Sequence, residues 1–263
     1  MIKSIHQHGN ERRYSAVVAG MKIEIWSDVA CPWCYIGKRR FEAALAEFPH
    51  RDSVEVEWRS YQLDPSLPEH YDGTELDYLS TRKGMPAAQV SQMFDHVATQ
   101  AKGEGLEFRF DKIVVANSFT AHRLIHLAAA HGLQDAAKER LLSGHFEQGK
   151  DIGSTEYLTS VALELGLDAD EVAALFVTDK FADDVREDFA EARALGISGV
   201  PFFVIDRKFG LSGAQPVETF RQALEQGWQE SHPLVMVAAG DKGSDGAATD
   251  SDGVVCGPDG CAI

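Results

Sequence analysis

The stretch that decides the fold reads Met21-Lys22-Ile23-Glu24-Ile25-Trp26-Ser27-Asp28-Val29-Ala30-Cys31-Pro32-Trp33-Cys34. Residues 22–26 alternate polar and apolar side chains with β-favouring types, which is the period of a half-buried strand. After the cysteines, Phe41, Ala44, Leu45 and Phe48 recur at helical spacing, so a strand feeds a helix through the Cys-x-x-Cys. Pro32 suits the first helical position, where its missing N–H would lack a partner anyway, and this makes Cys31 the expected N-cap. There its sulfur meets free backbone N–H groups and the positive end of the helix dipole, which favour a thiolate. Cys31 is therefore the expected nucleophile. Cys34, one turn inward, is close enough to form a disulfide with it and is expected to be shielded and less ionised.

Redox chemistry is the leading reading of such a pair, because a strand, the motif and a helix follow one another. A structural zinc site is the alternative. It needs four soft ligands, and the chain holds a second pair, Cys256 and Cys261.

A chain of 263 residues, with 44% hydrophobic and 25% charged residues, can bury a sizeable core. Its net charge of −16 repels phosphate backbones and anionic headgroups, so neither nucleic acid nor a membrane is an expected partner. Residues 1–20 are expected to form a flexible leader. Their apolar patch at 16–19 is shorter than the roughly 7–15 residues of a secretory core, which points to a cytoplasmic protein.

Residues 54–61 alternate cleanly and predict a second strand, parallel to the first because a helix separates them. Prolines and glycine at 63–73 predict a loop. From 74 to 196 the period is helical, with helices expected at 75–83, 86–102, 118–131, 134–148, 155–165, 170–177 and 181–195. Pro86 is expected at a first helical position. Val200-Pro201-Phe202-Phe203-Val204-Ile205 predicts a third strand, a turn at 206–208 a hairpin to 209–211, and 217–226 a last helix. Residues 239–253 are Gly-, Ala-, Ser-, Thr- and Asp-rich and are expected to be a mobile acidic linker. The acidic run Asp183, Asp184, Glu187, Asp188 and Glu191 reads as a solvated helix face. His122 and His126, at i and i+4, lack the adjacent Glu of the metalloprotease motif, so no metal site is expected there. Asp28 is either an assistant to proton transfer at Cys34 or an exposed carboxylate in a turn.

Together, Cys-Pro-Trp-Cys between strand and helix, the helical insertion after the second strand and Gly199-Val200-Pro201 opening the third strand resemble the DsbA family of thioredoxin-like oxidoreductases. The segments Ser27-Asp28-Val29-Ala30-Cys31-Pro32-Trp33-Cys34-Tyr35-Ile36-Gly37-Lys38 and Asn117-Ser118-Phe119-Thr120-Ala121-His122-Arg123-Leu124 look like its FrnE-type branch of dithiol-disulfide isomerases. The resemblance implies an α/β thioredoxin fold, β-α-β then β-β-α, with a large all-helical insertion. The parts would be 21–73 and 197–230 for the thioredoxin domain, 74–196 for the insertion and 231–263 for a tail.

It also implies catalytic Cys31 and Cys34, a cis peptide before Pro201, and substrate contacts at Val200, Pro201, Pro32, Trp33, Asn117 and His122. Members with a second Cys-x4-Cys pair suggest Cys256 and Cys261 as an auxiliary redox couple. No cofactor is implied beyond the redox-active disulfide. Expected partners are proteins with disulfides or thiols, and a thiol reductant such as glutathione or thioredoxin. Strongly oxidising members carry His between the cysteines, whereas Trp33 adds no positive charge, so the resemblance implies a less oxidising pair. Related glutathione-dependent small-molecule isomerases of the 2-hydroxychromene-2-carboxylate type generally present Ser where this chain has Cys31. They and the zinc module are the alternative functions.

Overall fold

The structure, a computed structural model, describes residues 20–68 and 71–233. The expected leader and the pair Cys256 and Cys261 lie outside the described residues. The fold belongs to the unit Met1–His232. Strand β1 (Met21–Ser27) runs into helix α1 (Pro32–Glu47), a 3-10 turn at Arg51–Ser53 and strand β2 (Val54–Ser60). The insertion follows as α2 (Glu75–Thr81), α3 (Ala87–Gly103), α4 (Phe119–Ala130), α5 (Gln134–Phe146), α6 (Thr155–Glu164), α7 (Ala169–Val177) and α8 (Ala182–Ala194). Strands β3 (Phe202–Ile205) and β4 (Phe209–Ser212) and helix α9 (Val217–Ser231) complete a thioredoxin fold with a helical insertion.

The sheet has the order β2-β1-β3-β4. β1 and β2 are parallel, in register from Met21 opposite Val54 to Ser27 opposite Ser60. β3 lies antiparallel on the other side, pairing Ile23 with Ile205 and Ile25 with Phe203. The period of two puts Ile23, Ile25, Phe203 and Ile205 on one face, where they bury Phe41 and Ala44 of α1 and Phe220 and Leu224 of α9. Trp26 and Val204 point to the opposite face and meet Ala192 and Ile197.

That second face is closed by α8, and here the expected solvated acidic run is corrected. Asp188 is buried at 1% exposure. Its carboxylate accepts the Ser60 N–H at 2.7 Å and a bond from Arg59 at 3.1 Å, and lies 3.0 Å from His126 Nε2. The Trp26 indole donates to the Asp188 carbonyl at 3.0 Å. One buried, fully paired carboxylate thus fastens the insertion to edge strand β2, while Asp183 on the same helix stays solvated.

The hairpin turn over 206–208 holds Asp206 (φ 47) and Arg207 (φ 57) in the left-handed region, and the Lys208 N–H closes onto the Ile205 carbonyl at 2.9 Å. Asp206 tolerates it because its side chain accepts the Lys22 N–H at 2.7 Å. Pro86 is the N-cap of α3 and not its first residue, since its ψ of 133° is extended.

On α5, His145 is buried with no hydrogen-bond partner at Nδ1. Burial pushes its imidazole down from 6.5 to about 4, so it is neutral in the fold. Between those two values the unfolded chain binds more protons, and stability must therefore fall as pH drops through 6.5 toward 4. The difference corresponds to on the order of 3 kcal/mol. His145→Met is expected to lose less stability than the wild type across this window by roughly that amount. Urea midpoints measured at the two ends of the window check it, and parallel losses in the two proteins would contradict it.

Candidate active site

The site forms where β1 ends. Ser27 closes the strand, the turn 28–30 reverses the chain, and Cys31 sits at the N-cap of α1 with extended φ −101 and ψ 113. Pro32 occupies the first helical turn, and the Cys34 N–H closes back onto the Cys31 carbonyl at 3.0 Å. Both cysteines are free thiols and both are buried, Cys31 at 3% exposure and Cys34 completely. The Cys31 sulfur lies 3.6 Å from the Val200 carbonyl oxygen, and the Val200–Pro201 peptide is cis. Half-buried Trp33 packs against the cluster that holds Tyr35, Ile36 and Val97, with the His96 ring 6.0 Å from its own. The structure therefore brings Cys31, Pro32, Trp33, Cys34, Val200 and Pro201 together.

His122 is not a groove-lining contact. It is buried at 1% exposure, with Nε2 3.3 Å from Asp28 Oδ1, so its ring faces that carboxylate and not the surface. Asn117 is half-buried and committed to the backbone. Its amide donates to the Leu67 carbonyl at 2.6 Å, and its oxygen accepts the Phe119 N–H and the Gln62 amide. It borders a cavity of about 500 Å³ lined also by Gln62, Thr120 and Arg123.

Asp28 is a buried carboxylate, not an exposed one. It accepts the Leu63 N–H at 2.8 Å and the Ala30 N–H at 3.2 Å. Burial would raise its carboxyl, but the bond from His122 and the N–H of Leu63 hold it below the usual carboxylate range. It stays ionised, which is a poor state for shuttling a proton near neutrality.

The two thiols titrate as one unit. The hydrogen bond between Cys31 and Cys34, burial and the charge of Cys34 hold Cys31 well above the ordinary thiol range. Burial would raise Cys34 as well. The bond from Cys31, the Lys138 ammonium and the Ser27 hydroxyl instead bring it below that range. So the first proton leaves easily and the second with difficulty. The sequence expectation placed the more ionised sulfur at the N-cap. The charge on Cys34 is favoured first by the hydrogen bond from Cys31 and then by the Lys138 ammonium.

Among the described residues no group of three or more His, Cys, Asp or Glu side chains could hold a metal ion. Nor is any helix among them long and apolar enough to cross a membrane.

Comparison with known proteins agrees with this geometry. The model of the DSBA-like thioredoxin domain family matches residues 22–225. The chain belongs to that family. It is 44% identical to a probable DsbA oxidoreductase from Streptomyces coelicolor, whose crystal structure superposes with a TM-score of 0.77 over 92% of this chain and 99% of that one. The uncharacterized protein YwbO of Bacillus subtilis is 27% identical over 205 residues, 77% of this chain and 94% of its own. The cytosolic disulfide reductase DsbM of Pseudomonas aeruginosa shares the fold at 20% identity and a TM-score of 0.56, over 78% of this chain and 97% of its own.

Two residues of this DSBA-like domain escaped the sequence reading. Lys138 lies on the apolar stripe Ala137, Leu141, Leu142 of α5, and a lysine in register with leucines was the available signal. Gly37 sits inside α1, where glycine costs roughly 1 kcal/mol against alanine and so asks for a reason. The reason is Pro201: a Cβ on Gly37 would stand 2.9 Å from the proline Cγ and 3.5 Å from Ala214. Gly37→Ala is therefore expected to lower stability by up to about 2 kcal/mol, overpacking outweighing the gain in helix propensity. By displacing the Val200 carbonyl it is also expected to raise the rate at which iodoacetamide modifies Cys31. An unchanged denaturation midpoint together with an unchanged alkylation rate would contradict this.

Proposed function

We propose that the protein exchanges thiols and disulfides in protein substrates through Cys31 and Cys34. The observation that carries this reading is the Cys31 sulfur at the mouth of α1, facing the Val200 carbonyl, with Cys34 one turn behind it. The membership of the DSBA-like family and the 44% identity to a probable DsbA oxidoreductase support it.

In the first step the Cys31 sulfur attacks a substrate disulfide. A bond forms between Cys31 and one substrate sulfur, the other substrate sulfur leaves as a thiolate, and the Cys31 proton passes to the Cys34 thiolate. The close coupling of the two thiols suits this transfer, since the charge need not leave the pair. Cys34 then gives its proton to the departing thiolate and attacks Cys31, which releases the second substrate sulfur and leaves a Cys31–Cys34 disulfide. Two electrons pass from the pair to the substrate. In isomerisation a different substrate thiol frees Cys31 before Cys34 does. The Val200 main chain beside Cys31 offers an edge to an extended substrate segment, with Pro32, Trp33 and Pro201 shaping the surrounding wall.

A thiol such as glutathione or thioredoxin would return the pair to its reduced state, and a reducing cytoplasm is the compartment that fits this cycle. Cys256 and Cys261 would serve as an auxiliary couple for the same pair.

Trapping tests the proposal. Cys34→Ser cannot resolve the first intermediate, so it is expected to accumulate mixed disulfides with protein partners that dithiothreitol releases. Cys31→Ser should trap none and should reduce insulin disulfides no faster than buffer. Adducts with glutathione alone would sink the protein-substrate reading. Full insulin reductase activity in Cys31→Ser would sink the nucleophile assignment. For the tail, insulin reduction and scrambled-ribonuclease refolding unaffected by the double change Cys256→Ser and Cys261→Ser would remove the auxiliary role.

A further inference from the structure

A buried ammonium without a carboxylate is uncommon, because desolvating it costs several kcal/mol unless an opposite charge replaces the water. Lys138 is such a group. It is 1% exposed, its Nζ donates to the Ser27 carbonyl at 3.1 Å, and it makes no ion pair with a carboxylate among the described residues.

Lys38 supplies the contrast. It is equally buried, and both ammonium groups lie over the Trp58 ring, at 5.9 Å for Lys38 and 5.6 Å for Lys138. Lys38 pairs with Glu42, with Asp135 at 3.2 Å and with Glu139 at 3.1 Å. Against its burial those carboxylates raise its pKa, whereas burial brings Lys138 down to about 8. The groups that face Lys138 are Cys34, Cys31 and Lys38 from α1, Asp28 from the turn before it, and His122 from α4. Its anionic neighbours are thus the two sulfurs and the Asp28 carboxylate. The Asp28 carboxylate is already engaged by His122 and two backbone N–H groups.

We propose that Lys138 is the counter-ion of the cysteine pair: its buried ammonium balances the single thiolate of the reduced Cys31–Cys34 couple and so sets how oxidising that couple is. This rests on the exchange chemistry proposed above. When a substrate dithiol reduces the Cys31–Cys34 disulfide, two electrons enter the pair and the substrate becomes a disulfide. Of the two substrate protons, one remains on the pair as a thiol and one goes to solvent, leaving one thiolate opposite Lys138. The oxidised pair has no such charge, so Lys138 stabilises the reduced state alone and makes the disulfide a stronger oxidant. It acts through the sulfurs and is a positioning residue. By reciprocity the redox state of the pair must also change the proton affinity of Lys138.

Equilibration of the full-length protein with glutathione buffers tests this directly. Lys138→Met is expected to move the thiol–disulfide equilibrium of the couple at least tenfold toward the disulfide, about 30 mV. Lys138→Arg, which keeps the charge, should recover most of the shift. Met and Arg variants that shift equally, or a folded Met variant that does not shift, would overturn the proposal. Should Lys138→Met fail to fold, the wild type decides: NMR of lysine side-chain nitrogens should show Lys138 titrating at lower pH in the oxidised protein than in the reduced one. Identical titrations would overturn it. A wild-type couple that never equilibrates with glutathione would instead overturn the exchange reading, and the counter-ion with it.

Discussion

Holding one negative charge on sulfur inside a protein is the constraint around which this molecule is arranged. An unbalanced thiolate in an apolar interior would take up a proton and lose its reactivity. Three features oppose that: the Cys34 N–H in the first turn of α1, the second thiol as a hydrogen-bond donor, and a cation from the insertion. Each comes from a different level of the structure. The helix start follows from Pro32, the second thiol from the spacing of the motif, and the cation from tertiary packing of α5.

This explains why the insertion belongs to the chemistry and is more than a cover. Its α4 and α5 bring His122 and Lys138 behind the cysteines, and its α8 fastens to the sheet through Asp188, which binds Ser60, Arg59 and His126 at once. Opposite the helix, Pro201 rests in the notch that Gly37 leaves open, which positions the Val200 carbonyl over Cys31. The thioredoxin core therefore supplies the sulfurs and the backbone edge, and the insertion supplies the electrostatics.

Much of the fold was legible because it rests on period and punctuation. The change from alternation at 22–26 to helical spacing at 41–48 marked β1 and α1, and the long helical stretch marked the insertion. The third strand begins at Phe202, two residues after the expected 200, with the Val200 carbonyl turned to the Cys31 sulfur. What could not be read is whatever depends on residues far apart in the chain. Asp188 looks like any acidic residue on a solvated helix until Arg59 and Ser60 meet it. His122 looked like a binding residue because its neighbours carry a family motif, yet it lies 3.3 Å from a buried carboxylate. No spacing in the sequence announces that Lys138 of α5 is buried near the pair, since only tertiary packing brings them together.

The measurement closest to the central claim is a pH titration of the thiolate ultraviolet absorbance in the reduced wild-type protein. A pair that shares one charge predicts a single thiolate equivalent appearing below the ordinary thiol range and a second only well above it. Two equivalents rising together through the ordinary range would contradict the account.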